Sequence, residues 1–323
     1  MSESTATLQG QTVVVAGGSG FIGRHLTPAL AAAGYQVVVL GRGRQPAGDA
    51  RPDGVRFVTW QPGAPDAWQQ HLSGARAVVN LCGAGIGDGR WTAARKRELL
   101  DSRTVPSHAL VAACNALEHP PAMLLQASGV GYYGTGTGDA TVDESSAPGE
   151  DFLARLAVAW ESPLEDAALA AAGVTAVRLR FGVVLGRDGG ALPQMLLPFR
   201  LFAGGPVASG QQWLSWIHVD DLVAALLHLI GASTDAVPTT PLPAAFNVCA
   251  PHPVQNREFA ASAARALHRP AWLRLPRMAL QAALGEQATL VCDGQRALPR
   301  ALQATGFEFR YPRIDQALQQ LLR

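Results

Sequence analysis

The chemically most informative residues lie near the start of the chain, where glycines follow an apolar, β-branched run. Gly17, Gly20 and Gly23 recur every third residue between the predicted strand 12–16 and a helix-like segment. Such a turn needs residues without a Cβ, and it lets the backbone lie against a diphosphate at the helix N-terminus. We expect Gly17 to make the turn, Gly20 to admit the diphosphate and Gly23 to allow close packing of helix and strand. The pattern predicts a dinucleotide site that comprises Gly17, Gly18, Ser19, Gly20, Phe21, Ile22 and Gly23.

The end of the second predicted strand, 36–40, indicates which dinucleotide is bound. NAD-specific folds place an acid there to bind the ribose hydroxyls, but this chain has Gly41-Arg42-Gly43-Arg44. A guanidinium can hold a 2′-phosphate through charge-assisted hydrogen bonds. We therefore expect NADP(H), with Arg42 on the phosphate. The alternative, solvated loop charge, applies more to Arg44 than to Arg42.

The loop after the fourth predicted strand completes the expected cofactor crevice. Leu81 ends that strand and Cys82 and Gly83 follow it, and such carboxyl-end loops border the ligand in doubly wound sheets. No base lies beside Cys82 in the sequence, so we interpret it as a packed thiol rather than a nucleophile.

These loops require a framework of alternating strands and helices. Apolar runs predict strands at 12–16, 36–40, 55–60, 75–81, 122–127 and 174–179, with helices at 24–33, 92–117 and 152–172 among them. This alternation predicts an α/β fold with a doubly wound parallel sheet, and a smaller C-terminal substrate lobe. We place the dinucleotide-binding domain at 1–250, with 182–213 contributing to the lobe, and the lobe itself at 251–323. The alternative is that 251–323 is a helical extension of the sheet.

Composition excludes several classes of partner. The chain has 323 residues, 48% hydrophobic and 16% charged, with a net charge of +1, so it is globular and lacks the basic field of a nucleic-acid binder. Its four cysteines have no metal or disulfide spacing, and its first ten residues do not resemble a signal peptide. No apolar stretch approaches the ~20 residues that span a bilayer. We expect a cytoplasmic protein without a membrane partner.

Several motifs together resemble the atypical extended short-chain dehydrogenases/reductases, in the epimerase-family branch with a C-terminal extension. They are the glycine loop, Gly89-Arg90-Trp91-Thr92, Gly131-Tyr132-Tyr133-Gly134, Arg178 to Gly186, Gly204-Gly205-Pro206, Trp216 to Leu222 and Gln295 to Pro299. The resemblance implies an NAD(P)-binding Rossmann sheet and a lobe that closes over a substrate cleft. It supplies no substrate, and some relatives of this branch are linked to cell or plastid division.

The catalytic Tyr-x-x-x-Lys pair of the superfamily is missing. The only lysine is Lys96, and the helix around 152–160 contains neither residue type. Four other residues are therefore candidates for catalysis. Ser128 closes the fifth strand, where the superfamily carries a catalytic hydroxyl; Tyr132 and Tyr133 follow it, and either would need a lowered pKa to donate a proton. The alternatives are a strand cap for Ser128 and a cleft wall for the two rings.

Arg103 is the fourth candidate. It lies seven residues after Lys96, so both share one helix face, and it takes the place of an asparagine that faces the active site in extended relatives. A cation there suits an anionic substrate or a developing enolate. A solvated helix face is the alternative for Arg103, and it is the interpretation that we favour for Lys96.

The remaining titratable residues have simpler interpretations. We assign His218 a structural role, Asp220 and Asp221 helix capping, and Asp143 and Glu144 a solvated loop. The sequence thus predicts an NADP(H)-dependent oxidoreductase or epimerase that acts on a small carbonyl or hydroxyl compound. If Arg103 faces the substrate, that compound is expected to be anionic. The alternative is a non-catalytic nucleotide-binding redox sensor or cell-division-associated interaction protein.

Overall fold

A parallel sheet organises the chain. The computed structural model describes residues 11–42, 53–64, 67–231 and 242–323. Its strands are β1 (Thr12–Ala16), β2 (Gln36–Gly41), β3 (Val55–Thr59), β4 (Ala77–Asn80), β5 (Met123–Gly129), β6 (Thr141–Val142), β7 (Thr175–Phe181), β8 (Val183–Leu185), β9 (Trp213–Leu214), β10 (Trp216–His218), β11 (Ala245–Val248), β12 (Val254–Gln255) and β13 (Arg296–Ala297). Seven of them form one sheet in the order β3-β2-β1-β4-β5-β7-β11, with every pair parallel. The predicted doubly wound sheet is confirmed.

The described ranges contain eleven α-helices, some of which cover this sheet while others pack with the C-terminal segment. They are α1 (Phe21–Ala32), α2 (Ala93–Ala116), α3 (Phe152–Glu161), α4 (Ala167–Ala171), α5 (Leu192–Arg200), α6 (Val219–Gly231), α7 (Asn256–Leu267), α8 (Arg277–Leu284), α9 (Thr289–Cys292), α10 (Arg300–Ala304) and α11 (Ile314–Leu321). None of the helices in the described ranges combines the length and apolarity that crossing a bilayer requires.

Continuous valine runs form the central strands because both sheet faces are covered. Val13 and Val15 of β1 belong to the cluster that α1 and α6 pack against, and Val14 lies in the cluster on the opposite face. All three are fully buried. Parallel strands covered on both faces carry such unbroken apolar runs.

The helix predicted over 152–172 is wrong in its length. Helix α3 ends at Glu161, a short 3₁₀ turn follows at Ser162–Glu165, and α4 begins after Asp166. Pro163 lacks the backbone N–H that a continuing helix would need. Asp166 then caps α4, because its carboxylate accepts from the backbone N–H of Ala168 at 2.9 Å. The break puts Glu161 at the end of a helix rather than in its middle.

The C-terminal residues pack in two places. Helices α5, α7 and α11 form a separate apolar cluster around Leu196, Phe259 and Leu318. Leu302 of α10, in contrast, belongs to the core cluster of the main sheet. The C-terminal segment therefore both builds a lobe with α5 and covers the sheet, while the domain boundary at residue 250 stays a prediction.

Candidate active site

The glycine loop forms a tight cradle at the carboxyl end of β1. Gly17 has a φ of +77°, and a Cβ there would lie 3.0 Å from the backbone nitrogen of Cys82. A Cβ on Gly23 would lie 2.3 Å from the carbonyl oxygen of Gly18, so this glycine lets α1 pack against the loop itself rather than against the strand. At Gly20 a Cβ would meet only the Gly17 carbonyl, at 3.3 Å. Apart from that carbonyl, no other atom of the described residues is found within 4 Å of the added Cβ, so a ligand can approach the Gly20 backbone.

The first turn of α1 presents backbone donors rather than side chains. Its N-cap is the exposed Gly20, and no side chain caps the helix. The ring of Phe21 is packed against the 186–190 loop, since a Cβ on Gly186 would lie 2.4 Å and one on Gly189 2.5 Å from ring atoms. Ile22 packs against the sheet core. These two predicted cofactor residues can thus contribute only their backbone N–H groups, and Ser19 beside them is exposed. A bare helix N-terminus of this kind is suited to a phosphate.

Arg42 lies at the mouth of the same cradle. It is exposed directly after β2, and its charge acts on the Cys82 thiol across the crevice. Burial nevertheless raises the pKa of Cys82 to about 12, with Arg42 opposing that shift. The thiol is therefore protonated near neutral pH, as expected of a packed thiol. Arg44 lies outside the described residues.

The loop after β4 forms the opposite side of the crevice, and the side chain of Arg103 packs against it. A Cβ on Gly83 would lie 3.2 Å from the Arg103 guanidinium carbon. That guanidinium is buried; it donates to the carbonyl oxygens of Leu99 and Ala84, both at 3.0 Å, and lies 4.8 Å from the Trp160 ring. Burial, with a smaller effect of Arg95, lowers its pKa to about 10. The solvated-face interpretation of Arg103 is wrong.

Within the described ranges, Arg103 forms no ion pair with a carboxylate. In that part of the chain its guanidinium contacts two carbonyl oxygens, the Ser102 hydroxyl at 3.4 Å and an aromatic ring. A buried cation without an acid partner favours a nearby anion. Because Arg103 lies beneath the loop after β4, its preference for a nearby anion belongs to the candidate site.

Lys96 forms specific contacts, whereas the sequence favoured a solvated helix face for it. Its ammonium lies 2.6 Å from Glu286 and 4.8 Å from the ring centroid of Phe152. The neighbouring loop is tied to the same lobe segment, since Arg90 donates to Ala283 O at 3.1 Å and Gln287 to Gly87 O at 2.7 Å. Lys96 thus forms a partly exposed ion pair between α2 and the segment that follows α8.

A small pocket remains between the lobe and the sheet domain. It measures about 40 Å³ and is lined by Trp91, Thr135, Asp151, Phe152, Leu153, Glu286 and Thr289. A larger pocket of about 160 Å³ is lined by residues that include His25, His218 and Gln320, and neither pocket contains a predicted site residue. The smaller pocket is the one next to the lobe contacts of Lys96.

Ser128 belongs to a buried polar row that crosses the carboxyl ends of four strands. Ser128 and Arg180 are register partners on β5 and β7, and Asn247 on β11 pairs with Arg180. On the other side, Asn80 of β4 donates to Gln126 of β5 at 2.9 Å. Side chains two residues apart on a strand share one face, so these polar groups line up. We refer to Asn80, Gln126, Ser128, Arg180 and Asn247 as the polar row.

Glu161 at the end of α3 supplies the charge that balances this row. Its carboxylate accepts from Ser128 Oγ at 2.7 Å and from Arg180 Nε and Nη2, both at 2.9 Å. Burial opposes the charge on Arg180, but the bonds to Glu161 outweigh it and raise the Arg180 pKa above its usual range. The Ser128 proton is thus already donated, which leaves only lone pairs for a ligand.

The two tyrosines differ in how the polar row holds them. Tyr133 is buried, donates to Asn247 Oδ1 at 2.7 Å and accepts from Arg180 Nη1 at 3.1 Å. Burial raises its pKa to about 12, against the smaller effect of Arg180. This environment disfavours proton donation by Tyr133, which would need a lowered pKa.

Tyr132 keeps its hydroxyl free for other roles. Its ring is half-buried and lies 3.4 Å from the guanidinium carbon of Arg180. Among the described residues its hydroxyl has no hydrogen-bond partner. Tyr132 is the one of the two tyrosines that can reach a ligand with its O–H.

The remaining acidic residues tie segments together. Glu144 accepts from the backbone N–H groups of Asn247 at 2.9 Å and Ala301 at 3.2 Å, and burial raises its pKa. Asp221 accepts from Arg310 N and Tyr311 N, both at 2.9 Å, so it joins α6 to the C-terminal segment instead of capping the helix. Glu144 is thus not a solvated loop residue.

His218 has the structural role that its sequence context predicted. It is buried, its Nε2 lies 2.9 Å from Gln320 Oε1, and its ring stacks on Tyr311 at 4.0 Å. These contacts join β10 to the C-terminal helix α11.

The sequence analysis did not identify Glu161 as a site residue, and it named Arg180 only as part of a family motif. The signal was available in part: Arg178 and Arg180 alternate with apolar residues in a strand that is otherwise buried. A carboxylate is the commonest partner of a buried arginine, yet nothing in the sequence identified Glu161 among the acids of the chain.

Comparison with known proteins identifies families and structures to which this chain is similar. Residues 13–249 match the model of the NAD dependent epimerase/dehydratase family, and residues 275–321 match a domain of unknown function, DUF1731. The chain is 37% identical over 312 residues to the epimerase family protein YfhF of Bacillus subtilis, covering 96% of this chain and 97% of that one. It is 39% identical to the chloroplastic SDR39U1 homolog of Arabidopsis thaliana, covering 97% and 87%. The crystal structure of human epimerase family protein SDR39U1 with NADPH superposes with a TM-score of 0.79 at 34% identity, covering 97% and 99%.

Proposed function

We propose that this chain, which belongs to the NAD dependent epimerase/dehydratase family, is an NADP(H)-dependent oxidoreductase or epimerase. Its substrate would be a small carbonyl or hydroxyl compound, held between the carboxyl edge of the sheet and the C-terminal lobe. Such edges are where doubly wound sheets bind ligands.

The observation that carries the proposal is the glycine cradle with Arg42 at its mouth. Gly20 leaves the α1 N-terminus open, and Gly17 brings the β1 and β4 loops together. A diphosphate fits this cradle, and the exposed Arg42 guanidinium suits a 2′-phosphate at the end of β2. The human relative crystallised with NADPH supports the choice of NADP(H) over NAD(H).

Three residues of the chain are assigned roles toward the substrate. Tyr132 would hold or move a proton, since its hydroxyl has no partner among the residues that the structure describes and its ring lies against the Arg180 cation. Arg103 would favour a negative charge beside the β4 loop, and Ser128 would accept a hydrogen bond from a substrate hydroxyl. Bound NADP(H) supplies or accepts the hydride, while the protein orients the reacting groups.

The alternative function is a nucleotide-binding sensor or interaction protein without turnover. One observation favours it: the chain lacks Tyr-x-x-x-Lys. Both functions need the same cofactor cradle, so only an activity measurement separates them.

The test is NADPH oxidation or NADP⁺ reduction in the presence of aldehydes, keto acids and sugar derivatives. For an enzyme, Tyr132→Phe, Ser128→Ala and Arg103→Met should each lower kcat/KM at least about tenfold while NADPH affinity stays within a few-fold. Tyr133→Phe is the matched control, since its hydroxyl binds only buried protein groups. No turnover from folded, NADPH-loaded protein would favour the sensor, and turnover unaffected by these substitutions would show that the residues are misassigned.

A further inference from the structure

Two segments far apart in the sequence form one exposed surface that combines apolar and cationic side chains. Trp272 is 70% exposed, Leu201 67% and Phe202 56%, which is unusual for residues of this size. They are contiguous, because Trp272 Nε1 donates to the Phe202 carbonyl at 3.2 Å. The Arg269 guanidinium carbon lies 4.4 Å from the Phe202 ring centroid. We call Arg200, Leu201, Phe202, Arg269 and Trp272 the Trp272 surface.

The backbone beneath this surface is fixed. Residues 204–208 are hydrogen-bonded to residues 273–275, through Leu273 N to Gly204 O at 3.2 Å, Leu275 N to Pro206 O at 3.1 Å and Ala208 N to Leu275 O at 2.8 Å. Arg274 adds a bond from its Nε to Ala208 O at 2.8 Å. A partner that binds here would lose little affinity to ordering of the protein.

The charge of the two segments is one-sided. Residues 189–213 and 259–285 contain no aspartate or glutamate but five arginines, in a chain whose net charge is only +1. Of these arginines, Arg277 pairs with an acid, Asp293, at 2.8 Å. The remainder are Arg200, Arg265, Arg269 and Arg274, for which the described residues provide no acidic partner. The surface therefore offers guanidinium groups to a carboxylate from outside.

The composition favours a protein partner over other occupants. A second copy placed symmetrically on this surface would bring arginine against arginine, which is repulsive. An anionic lipid surface is served by flexible cations, whereas Arg274 is tied to backbone carbonyls and Arg269 lies on Phe202. Tryptophan and arginine held rigidly are the residues that dominate binding between proteins, and a guanidinium matches a carboxylate in a bidentate pair.

We propose that the Trp272 surface docks an acidic segment of another protein, with an apolar side chain of that segment packed on Phe202 and Trp272. This interaction is independent of cofactor binding and of turnover at the sheet edge.

The experiment selects random dodecapeptides displayed on phage against the immobilised full-length protein. The expected peptides are rich in aspartate and glutamate around a leucine or an aromatic residue. Fluorescence anisotropy with one synthesised peptide should then show at least about tenfold weaker binding to Trp272→Ala and to Arg269→Glu. Val158→Ala and Arg97→Glu remove an exposed valine and reverse an exposed arginine elsewhere, so they should leave binding within twofold. Circular dichroism checks that each variant is folded.

Four results would overturn the proposal. The first is selection of no peptide or of peptides without acids, and the second is binding that neither surface substitution weakens. The third is sedimentation with phosphatidylserine vesicles that is lost in Trp272→Ala. The fourth is a dimer in analytical ultracentrifugation that Trp272→Ala dissociates. The third result would assign the surface to lipid, and the fourth to a second copy of this chain.

Discussion

Replacing Glu161 with glutamine should destabilise the protein far more than the same substitution at an exposed glutamate. The carboxylate accepts three hydrogen bonds, from Ser128 Oγ, Arg180 Nε and Arg180 Nη2. Both charged groups are almost completely buried. Glu161→Gln removes the negative charge and turns one acceptor into an NH₂ donor, so the buried Arg180 loses its counter-ion and at least one bond.

The expected cost follows from what remains buried. Breaking a buried ion pair by removing one partner costs roughly 3–5 kcal/mol, because the other charge stays desolvated. An exposed pair is worth about 1 kcal/mol or less. Glu165 is the matched control: its side chain is 72% exposed and lies 3.5 Å from Arg178, so Glu165→Gln should change the free energy of unfolding only slightly.

Urea denaturation followed by circular dichroism measures both variants. The double variant Glu161→Leu with Arg180→Met should recover part of the loss, because apolar residues of similar volume avoid the desolvation cost, while Ser128 and Tyr133 still lose their hydrogen bonds to the pair. The reasoning is refuted if Glu161→Gln costs no more than Glu165→Gln, or if the double variant is less stable than Glu161→Gln.

Two further predictions concern the cradle and the pH response. Gly20→Val should abolish nucleotide binding measured by calorimetry, because the side chain occupies the space of the diphosphate, while circular dichroism should show a folded protein in which the Gly17 carbonyl, 3.3 Å from the added Cβ, has shifted slightly; normal binding would show that the loop is misplaced. Burial lowers the His218 pKa, with Arg310 adding to this effect and Gln320, Asp220 and Asp221 opposing it. Its contribution to stability is therefore present above about pH 6.5, the unfolded pKa, and is lost as the pH falls, by up to about 1.4 kcal/mol per pH unit. His218→Asn should flatten the loss of unfolding free energy in urea between pH 7.5 and 5.5, and an unchanged slope would contradict this.

The parts of the site that depend on neighbours in sequence were predictable. The glycine loop, β1 and α1 form one local unit, so spacing alone located the cradle, and β1 has the predicted bounds. The sheet class followed from the alternation of strands and helices.

The polar row was not predictable, because it is assembled by register between distant strands. Ser128 and Arg180 face each other only because β5 pairs with β7, and Glu161 joins them only because α3 stops before Pro163. The sequence shows the hydroxyl, the guanidinium and the carboxylate but not which of them meet. The same reason explains why Arg103 and Lys96, on one helix, have different environments.

Calorimetric titration of the protein with NADPH and with NADH tests the central claim most directly. The cradle with Arg42 predicts tighter binding of NADPH, and a loss or reversal of that preference in Arg42→Asp, which places an acid against the 2′-phosphate. One charge-assisted contact of about 1.5–3 kcal/mol corresponds to a change of roughly ten- to a hundredfold in Kd. Arg56→Asp, at an exposed arginine on β3, is the control and should keep the preference. Equal affinity of the unaltered protein for the two dinucleotides would contradict the claim.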